Sequence, residues 1–211
     1  MQRPSFAVVD VETTDGDPRL ARIIELAVVV PGTEEDLQGW HGLIDPGMPL
    51  PFFVQKLTGI KSSNLRGAPR FHQAAPWILA LTEGRVIVAH NARYDMTALT
   101  EEMARCGHSF QRSTLCTERL SRQLLPHLTH HNLGSLCRYF AIPFTAAHRA
   151  YPDAKATLAT NCPAKASGML RIPSTCAACD NGSGRASIMR WRERDVCGGR
   201  APGAAEVASH R

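Results

Sequence analysis

The sequence predicts an α/β fold in which helices flank a mixed sheet. Two observations support this prediction. Three apolar segments joined by short turns come first in the chain and indicate an antiparallel meander. After them, apolar segments of strand length alternate with segments of helical spacing, which is typical of a layered fold with a mixed sheet.

The three early strands are predicted at residues 6–11, 22–30 and 40–44. The first is a short, valine-rich run of the kind found in buried strands. Turn-forming glycine and proline residues at 16–18 and 31–32 separate the three segments. Short connections of this kind predict that the three strands pair as neighbours.

The pattern changes to helical spacing after residue 51. Phe53, Leu57 and Ile60 recur at the interval of one helix face. A second helix is predicted over residues 71–81. Pro76 must start or kink that helix, because proline removes a backbone hydrogen bond.

The remaining elements alternate between strand and helix. A buried strand is predicted at residues 86–89 and a short one near residues 114–115. The intervening helix should end near Gly107. Four helices are predicted in this part of the chain. Apolar side chains at helical spacing mark the first three, namely Met96, Leu99 and Met103, then Leu120, Leu124 and Leu125, then Leu133, Leu136, Cys137 and Phe140. Pro152, which suits a first turn, marks the fourth.

Length and composition indicate one folded domain followed by a segment of different character. The chain has 211 residues, of which 44% are hydrophobic and 20% charged, as in ordinary globular proteins. Residues 163–211 contain few large apolar side chains and scattered glycines, so they cannot bury enough apolar area to offset the entropy of ordering. We therefore expect a domain at residues 1–162 and a disordered or extraneous tail at 163–211.

The charge distribution gives little information about partners. The net charge is +5, but residues 1–160 carry 16 basic and 15 acidic side chains, whereas residues 161–211 carry 8 and 4. The basic excess belongs mostly to the tail. It is therefore weak evidence that the folded domain binds nucleic acid.

The cysteines favour a reducing compartment. There are seven, an odd number, and no signal peptide or apolar run long enough to cross a bilayer is visible, so we expect a cytoplasmic protein without a membrane partner. Cys176 and Cys179 form a CxxC pair, with Cys162 and Cys197 as further candidate ligands. A zinc site is thus an alternative for the tail, although structural zinc sites favour two such pairs.

Four acidic residues from three separated segments are candidate metal ligands. Asp10 and Glu12 lie two residues apart on the first strand, so their side chains point to the same face of the sheet. Asp95 follows the fourth strand, and Asp153 would lie in the first turn of the last helix. A site for two divalent cations requires such a set, and two cations about 3.5–4 Å apart can activate a water and stabilise the leaving oxygen of a phosphodiester.

One histidine, His148, precedes the last helix and could deprotonate that water. Each residue alone has an ordinary alternative. Asp10 and Glu12 would be solvated acids at a strand end, Asp95 a helix cap and His148 an exposed loop side chain. The occurrence of all these residues together favours a metal-dependent nuclease.

Three motifs resemble those of the DEDDh 3′–5′ exonucleases, the family of the proofreading epsilon subunit of bacterial DNA polymerase III. The five-residue step from His148 to Asp153 resembles the histidine branch of that family. The resemblance covers about residues 5–160. Its main motifs are residues 9–14 (VDVETT), 88–95 (VAHNARYD) and 148–154 (HRAYPDA), and its lesser ones are residues 57–60 (LTGI) and 133–137 (LGSLC).

The resemblance implies a ribonuclease H-like fold with a five-stranded sheet, and an exonuclease domain at residues 1–162. It implies hydrolysis of nucleotides from the 3′ end of DNA, or of RNA, with two Mg²⁺ or Mn²⁺ ions. A single-stranded or frayed 3′ end is then the expected partner, with a DNA polymerase subunit as another candidate. The implied residues are His148 as general base, Asp10, Glu12, Asp95 and Asp153 as metal ligands, and Thr13, Thr14, Leu57 and Thr58 around the terminal nucleotide.

Two positions and the expected length of the last helix depart from the family pattern. Tyr94 stands where phenylalanine is usual, and Asp15 stands where glycine is usual. The carboxylate of Asp15 would crowd or repel the 3′ nucleotide unless the loop to Pro18 turns it away. The last helix is also expected to be short, because residues 161–163 end its apolar face. Asp15 and the short helix motivate an alternative hypothesis, a catalytically impaired subunit of the same fold that binds nucleic acid or a polymerase.

Overall fold

A computed structural model describes residues 5–31, 38–144 and 147–161 of the chain. These residues form five strands, six α-helices and a short 3₁₀ turn at Ser62–Leu65. The elements in chain order are β1 (Phe6–Thr13), β2 (Ile23–Val30), β3 (Gln38–Leu43), α1 (Phe52–Thr58), α2 (Phe71–Thr82), β4 (Val86–Ala89), α3 (Ala92–Arg105), β5 (Thr114–Cys116), α4 (Thr117–Leu124), α5 (Leu133–Tyr139) and α6 (Ala150–Asn161).

The strands form one mixed sheet in the order β3-β2-β1-β4-β5. The pairs β1–β2 and β2–β3 are antiparallel, as short connections require, whereas β1–β4 and β4–β5 are parallel. The predicted α/β fold with a five-stranded mixed sheet is confirmed. β1 lies at the centre, and all eight residues of β2 beside it are buried.

Helices cover both faces of the sheet. On one face, Val9 and Val11 of β1 pack with residues of α2 and α3, including Ile78 and Leu99. On the other face, Val8 packs with residues of β2 and β4 and with Ala150 and Ala154 of α6. Because successive side chains of a strand alternate between faces, Asp10 and Glu12 project towards the face that α6 covers.

One local prediction was wrong, and for Pro76 the structure excludes one of the two alternatives. α1 ends at Thr58, before Ile60, because Gly59 adopts a left-handed conformation (φ 71°) and closes the helix with a bond from its N–H to the carbonyl of Gln55. Pro76 does not start α2, which begins at Phe71 and contains the proline. The tertiary packing of Phe71, Ala74, Ala75 and Ile78 stabilises a helix that proline by itself disfavours.

The predicted tail at residues 163–211, with the alternative zinc site that includes Cys162, lies outside the described residues. Within the described ranges, none of the helices is long and apolar enough to cross a membrane.

Candidate active site

Three of the predicted ligands meet between β1 and α6. Asp10 and Glu12 share one face of β1, and Asp153 lies in the first turn of α6, which packs on that face. One carboxylate oxygen from each of the three side chains lies within 4.8 Å of the other two. We refer to Asp10, Glu12 and Asp153 as the carboxylate cluster.

Only one of the two carboxylate oxygens of Asp153 has a hydrogen-bond partner within the fold. Its Oδ2 accepts a hydrogen bond of 3.1 Å from the backbone N–H of His148. Its Oδ1 is buried and has no hydrogen-bond partner. Buried polar atoms are almost always paired, so this oxygen is a vacant acceptor directed into the protein interior.

Asp95 lies beside the carboxylate cluster but is not one of its three members. It is the fourth residue of α3, and its Oδ1 accepts a hydrogen bond of 3.2 Å from the N–H of Val11. β1 extends past its last partner on β4, since that pairing ends at Val8 and Val88. Asp95 thus binds the backbone between Asp10 and Glu12. The helix cap is Asn91, in a left-handed conformation (φ 63°), so the alternative role of Asp95 as a cap is wrong.

Burial, and after it the charges of neighbouring acids, raise the pKa values of all four acids. Burial raises the pKa of Asp10 well above its usual range, and the charges of Asp95, Asp153 and Glu12 raise it further. Burial first, then Asp153, raises the pKa of Glu12 to about 8. Burial raises the pKa of Asp95 to about 7 and that of Asp153 to about 6, although backbone hydrogen bonds oppose both shifts. The ionised forms are therefore unstable together unless a cation neutralises them.

His148 lies on the loop that leads into α6. It is exposed and adopts a left-handed backbone conformation (φ 62°), which is uncommon for a residue with a side chain. Its backbone N–H binds Asp153 of the carboxylate cluster. The backbone of the predicted base is thus tied directly to one of the predicted metal ligands.

Sequence reasoning missed an acidic residue next to the carboxylate cluster. Glu25 of β2 lies directly opposite Glu12 of β1 and is buried. Its carboxylate binds the guanidinium of Arg149, with Nη2 2.8 Å from Oε1. A signal was available, because Glu25 is the only charged residue in an otherwise apolar strand, and a buried charge requires a partner.

The residues expected around the terminal nucleotide differ in whether their side chains are free to contact a ligand. The hydroxyls of Thr13, Thr14 and Thr58 are all hydrogen-bonded within the fold, to the carbonyl of Asp15, to the N–H of Arg22 and to the carbonyl of Val54, respectively. The side chain of Leu57 is 54% exposed. Of these four side chains, only that of Leu57 offers a free surface.

The structure explains two of the departures from the family pattern. The side chain of Asp15 is exposed, and its Oδ1 accepts a hydrogen bond of 2.9 Å from the N–H of Asp17, so it is bound within its own loop. The hydroxyl of Tyr94 binds the carbonyl of Asp15 and the hydroxyl of Thr13. The tyrosine therefore connects α3 to the loop that follows β1.

Comparison with known proteins identifies the family. A family model described as exonuclease matches residues 7–160, a range that includes Asp10, Glu12, Asp95, His148 and Asp153. The chain belongs to the exonuclease family. The resemblance of its motifs to 3′–5′ exonucleases is thereby confirmed.

Relatives within the exonuclease family include parts of much larger proteins. The chain is 33% identical over 152 residues to a PolC-type DNA polymerase III of Caldanaerobacter subterraneus, covering 72% of this chain and 11% of that protein. It is 29% identical over 154 residues to a DNA polymerase III subunit epsilon of Aquifex aeolicus, covering 72% of this chain and 76% of that protein. The chain spans only about a tenth to a fifth of the length of the first curated relatives it matches.

The fold agrees with that of a solved exonuclease. E. coli exonuclease I, in complex with a dA16 oligonucleotide, superimposes with a TM-score of 0.65 at 20% identity, covering 74% of this chain and 40% of that chain. The sheet order and the flanking helices are therefore those of an exonuclease fold.

Proposed function

We propose that this domain is a metal-dependent 3′–5′ exonuclease that hydrolyses nucleotides from the 3′ end of DNA. The observation that carries the proposal is the carboxylate cluster, in which oxygens of three acids from two elements lie within 4.8 Å of one another. Among the described residues, no salt bridge reaches Asp10, Glu12 or Asp153. Half-buried acids that are left without a counter-charge are typical of a cation site.

The donor set fits divalent cations of the Mg²⁺ or Mn²⁺ kind. Carboxylate oxygens are the ligands that such hard cations prefer. The buried Oδ1 of Asp153 has no hydrogen-bond partner and is a ready ligand atom. A cation would also favour the ionised form of every acid whose pKa the cluster raises.

In this proposal Asp10, Glu12, Asp95 and Asp153 bind two cations, which supply water activation and stabilisation of the leaving 3′ oxygen. His148 accepts the proton of the attacking water. Because His148 is exposed, it can pass that proton to solvent and be ready for the next cycle. Asp95 also fixes the backbone between Asp10 and Glu12, which keeps those two side chains on one face.

The substrate is proposed to be a single-stranded or frayed 3′ end. The exposed side chain of Leu57 supplies an apolar contact for the terminal base or sugar. Thr13, Thr14 and Thr58 contribute by shaping the backbone around that nucleotide, since their hydroxyls are engaged within the fold. The relatives support DNA, because one is a DNA polymerase III subunit epsilon and a solved structure contains a dA16 oligonucleotide. RNA is the second substrate class, and a DNA polymerase subunit is the proposed protein partner.

The test is digestion of 5′-labelled single-stranded DNA, frayed duplex DNA and RNA of one sequence by the purified full chain, with Mg²⁺ or Mn²⁺ and with EDTA. We expect a ladder that shortens from the 3′ end only when a cation is present, with single-stranded DNA cleaved faster than RNA. Internal cleavage, or cleavage in EDTA, would contradict the proposal. Tight binding of the oligonucleotide with no cleavage under either cation would favour the impaired binding subunit instead.

A further inference from the structure

We propose that Glu25 and Arg149 form a positioning pair that fixes the loop carrying His148 against the carboxylate cluster. The inference deepens the proposed exonuclease function and rests on it for its kinetic consequences. The pair touches no reacting atom in this proposal. It acts through His148, the residue next to Arg149 in the chain.

The contacts between the two residues form a complete fork. Arg149 Nε lies 3.0 Å from Oε2 of Glu25, and Arg149 Nη2 lies 2.8 Å from Oε1. The N–H of Ala150 adds a bond of 3.0 Å to Oε2. Two parallel charge-assisted bonds fix orientation as well as distance, and the third bond satisfies a free N–H at the start of α6.

Glu25 is well placed for this purpose because it belongs to the sheet itself. It lies on β2 directly opposite Glu12 of β1, and both strands are buried in the centre of the sheet. The residues bound to it begin the segment that bears Asp153. A rigid strand therefore sets the distance between the loop carrying His148 and the carboxylate cluster.

The loop is bound from both sides of His148. The N–H of His148 donates to Asp153, while the next two residues, Arg149 and Ala150, are bound to Glu25. His148 itself has a left-handed backbone (φ 62°), a conformation that a residue with a side chain keeps only when its surroundings enforce it. The bonds to Glu25 supply that enforcement.

A second pair of the same chemistry provides a matched control. Arg22 also uses Nε and Nη2 to bind both oxygens of a buried glutamate, Glu102, at 2.6 and 3.3 Å. That pair joins the residue before β2 to α3, and the loop of His148 is not part of it. Arg22→Ala should therefore show the general cost of losing such a pair without the loss of loop position.

The kinetic test is a double-mutant cycle with His148 on single-stranded DNA and Mn²⁺. Arg149→Ala should lower kcat by about 10–100-fold, the scale of a misplaced catalytic group, while KM and the Kd for Mn²⁺ stay within about twofold. In a His148→Ala background the same change should alter kcat by less than about twofold, because the group being positioned is already absent. Equal losses of kcat in both backgrounds would overturn the inference.

Arg149→Lys separates geometry from charge. Lysine keeps the positive charge but cannot form two parallel bonds, so its kcat should stay below that of the wild-type protein. Full wild-type kcat in Arg149→Lys would overturn the positioning role. Arg22→Ala should keep kcat within about twofold of wild type, as expected for a change away from the site.

Amide hydrogen exchange on the metal-free full chain tests the same inference without catalysis. Arg149→Ala should accelerate exchange in residues 148–150 by about tenfold or more, whereas Arg22→Ala should leave that segment unchanged. Unchanged exchange in Arg149→Ala would overturn the inference. If the wild-type protein cleaves no substrate, the proposed function fails, and this measurement still decides whether Glu25 and Arg149 position the loop.

Discussion

Buried Glu102 and the half-buried carboxylate cluster both lie near the start of β2, but within the described part of the chain the fold supplies charged partners only to Glu102. At the start of the strand, Glu102 of α3 is bound by Arg22, by the N–H of Ile23 and by Arg105. At the carboxylate cluster beside Glu25, among the described residues, no salt bridge reaches Asp10, Glu12 or Asp153. One buried oxygen of Asp153 lacks even a hydrogen bond.

The contrast shows that the lack of a basic partner is particular to the carboxylate cluster. The chain has arginines available and uses them for buried Glu102 and for Glu25, which lies next to the carboxylate cluster. Leaving an adjacent group of acids without a counter-charge costs stability unless another cation supplies it. Under the proposed function, the cluster is the part of the molecule where stability is given up for cation binding.

Asp10→Ala is the change expected to have the largest effect. It removes an acid that adjoins Glu12, Asp153 and Asp95 and that would hold the cations in the proposed site, so cleavage of single-stranded DNA should be abolished. Gel analysis of the labelled products measures the result. Asp45→Ala is the matched control, because Asp45 is an aspartate bound to Arg70 outside the cluster, and it should cleave as the wild type does. Appreciable cleavage by Asp10→Ala would place the cations elsewhere.

His148→Ala should separate rate from cation binding. Loss of a general base is expected to lower kcat by about 10²–10⁴-fold, while the Kd for Mn²⁺ from calorimetric titration stays near the wild-type value. His72→Ala, at an exposed histidine of α2, is the control and should leave both quantities unchanged. Near-normal turnover in His148→Ala would assign the proton transfer to another group.

Cation binding should stabilise the fold, and more so at high pH. The pKa values of Glu12, Asp95 and Asp153 are raised to about 8, 7 and 6, so the folded state binds these protons more tightly than the unfolded chain. Their contribution to stability is full below about pH 4 and is lost as the pH rises through 6 to 8. In EDTA the Tm should therefore fall over this range. Mg²⁺ or Mn²⁺ at about 100 times its Kd should raise the Tm at pH 8 by about 5–10 °C.

Neutralising Glu12, which lacks a counter-charge among the described residues, and Glu102, which is paired with Arg22, tests the comparison of the two groups of acids directly. At pH 8 in EDTA, Glu12→Gln should raise the Tm by relieving repulsion, whereas Glu102→Gln should lower the free energy of unfolding by about 1–3 kcal/mol by weakening a buried charged pair. Scanning calorimetry of both variants measures the difference. If the Tm changed in the same direction in both variants, the distinction between unpaired and paired acids would not hold.

Asp15→Gly should have the smallest effect. Asp15 is an acid satisfied within its own loop by the N–H of Asp17, so it behaves as a paired group and does not project freely towards a nucleotide. We expect kcat and KM to stay within about twofold of wild type, the scale of an ordinary surface substitution. A clearly lower KM in Asp15→Gly would show that the carboxylate repels the substrate.

Local sequence patterns predicted the fold well where the pattern is strong. The valine-rich β1 and β2 and the apolar stripe of α3 were predicted because burial on a sheet or along a helix face imposes a fixed period on the sequence. The end of α1 was not, since the left-handed conformation of Gly59 decided it. For α2 the pattern left open whether Pro76 starts or kinks the helix, and the structure shows that the helix begins before it. Element ends depend on backbone conformations that the period does not encode.

By itself, the sequence determined that Asp10 and Glu12 share one face of β1, because side chains of a strand alternate between faces. It also determined that Asp153 lies at the start of α6, because Pro152 suits the first turn of a helix. Only the tertiary structure decided which acids are paired. Arg149 is 124 residues from Glu25 and Glu102 is 80 residues from Arg22, and the oxygen of Asp95 that binds Val11 comes from 84 residues away. The physical reason is that a buried charge is stabilised by whatever group the strand register and helix packing bring within hydrogen-bonding distance.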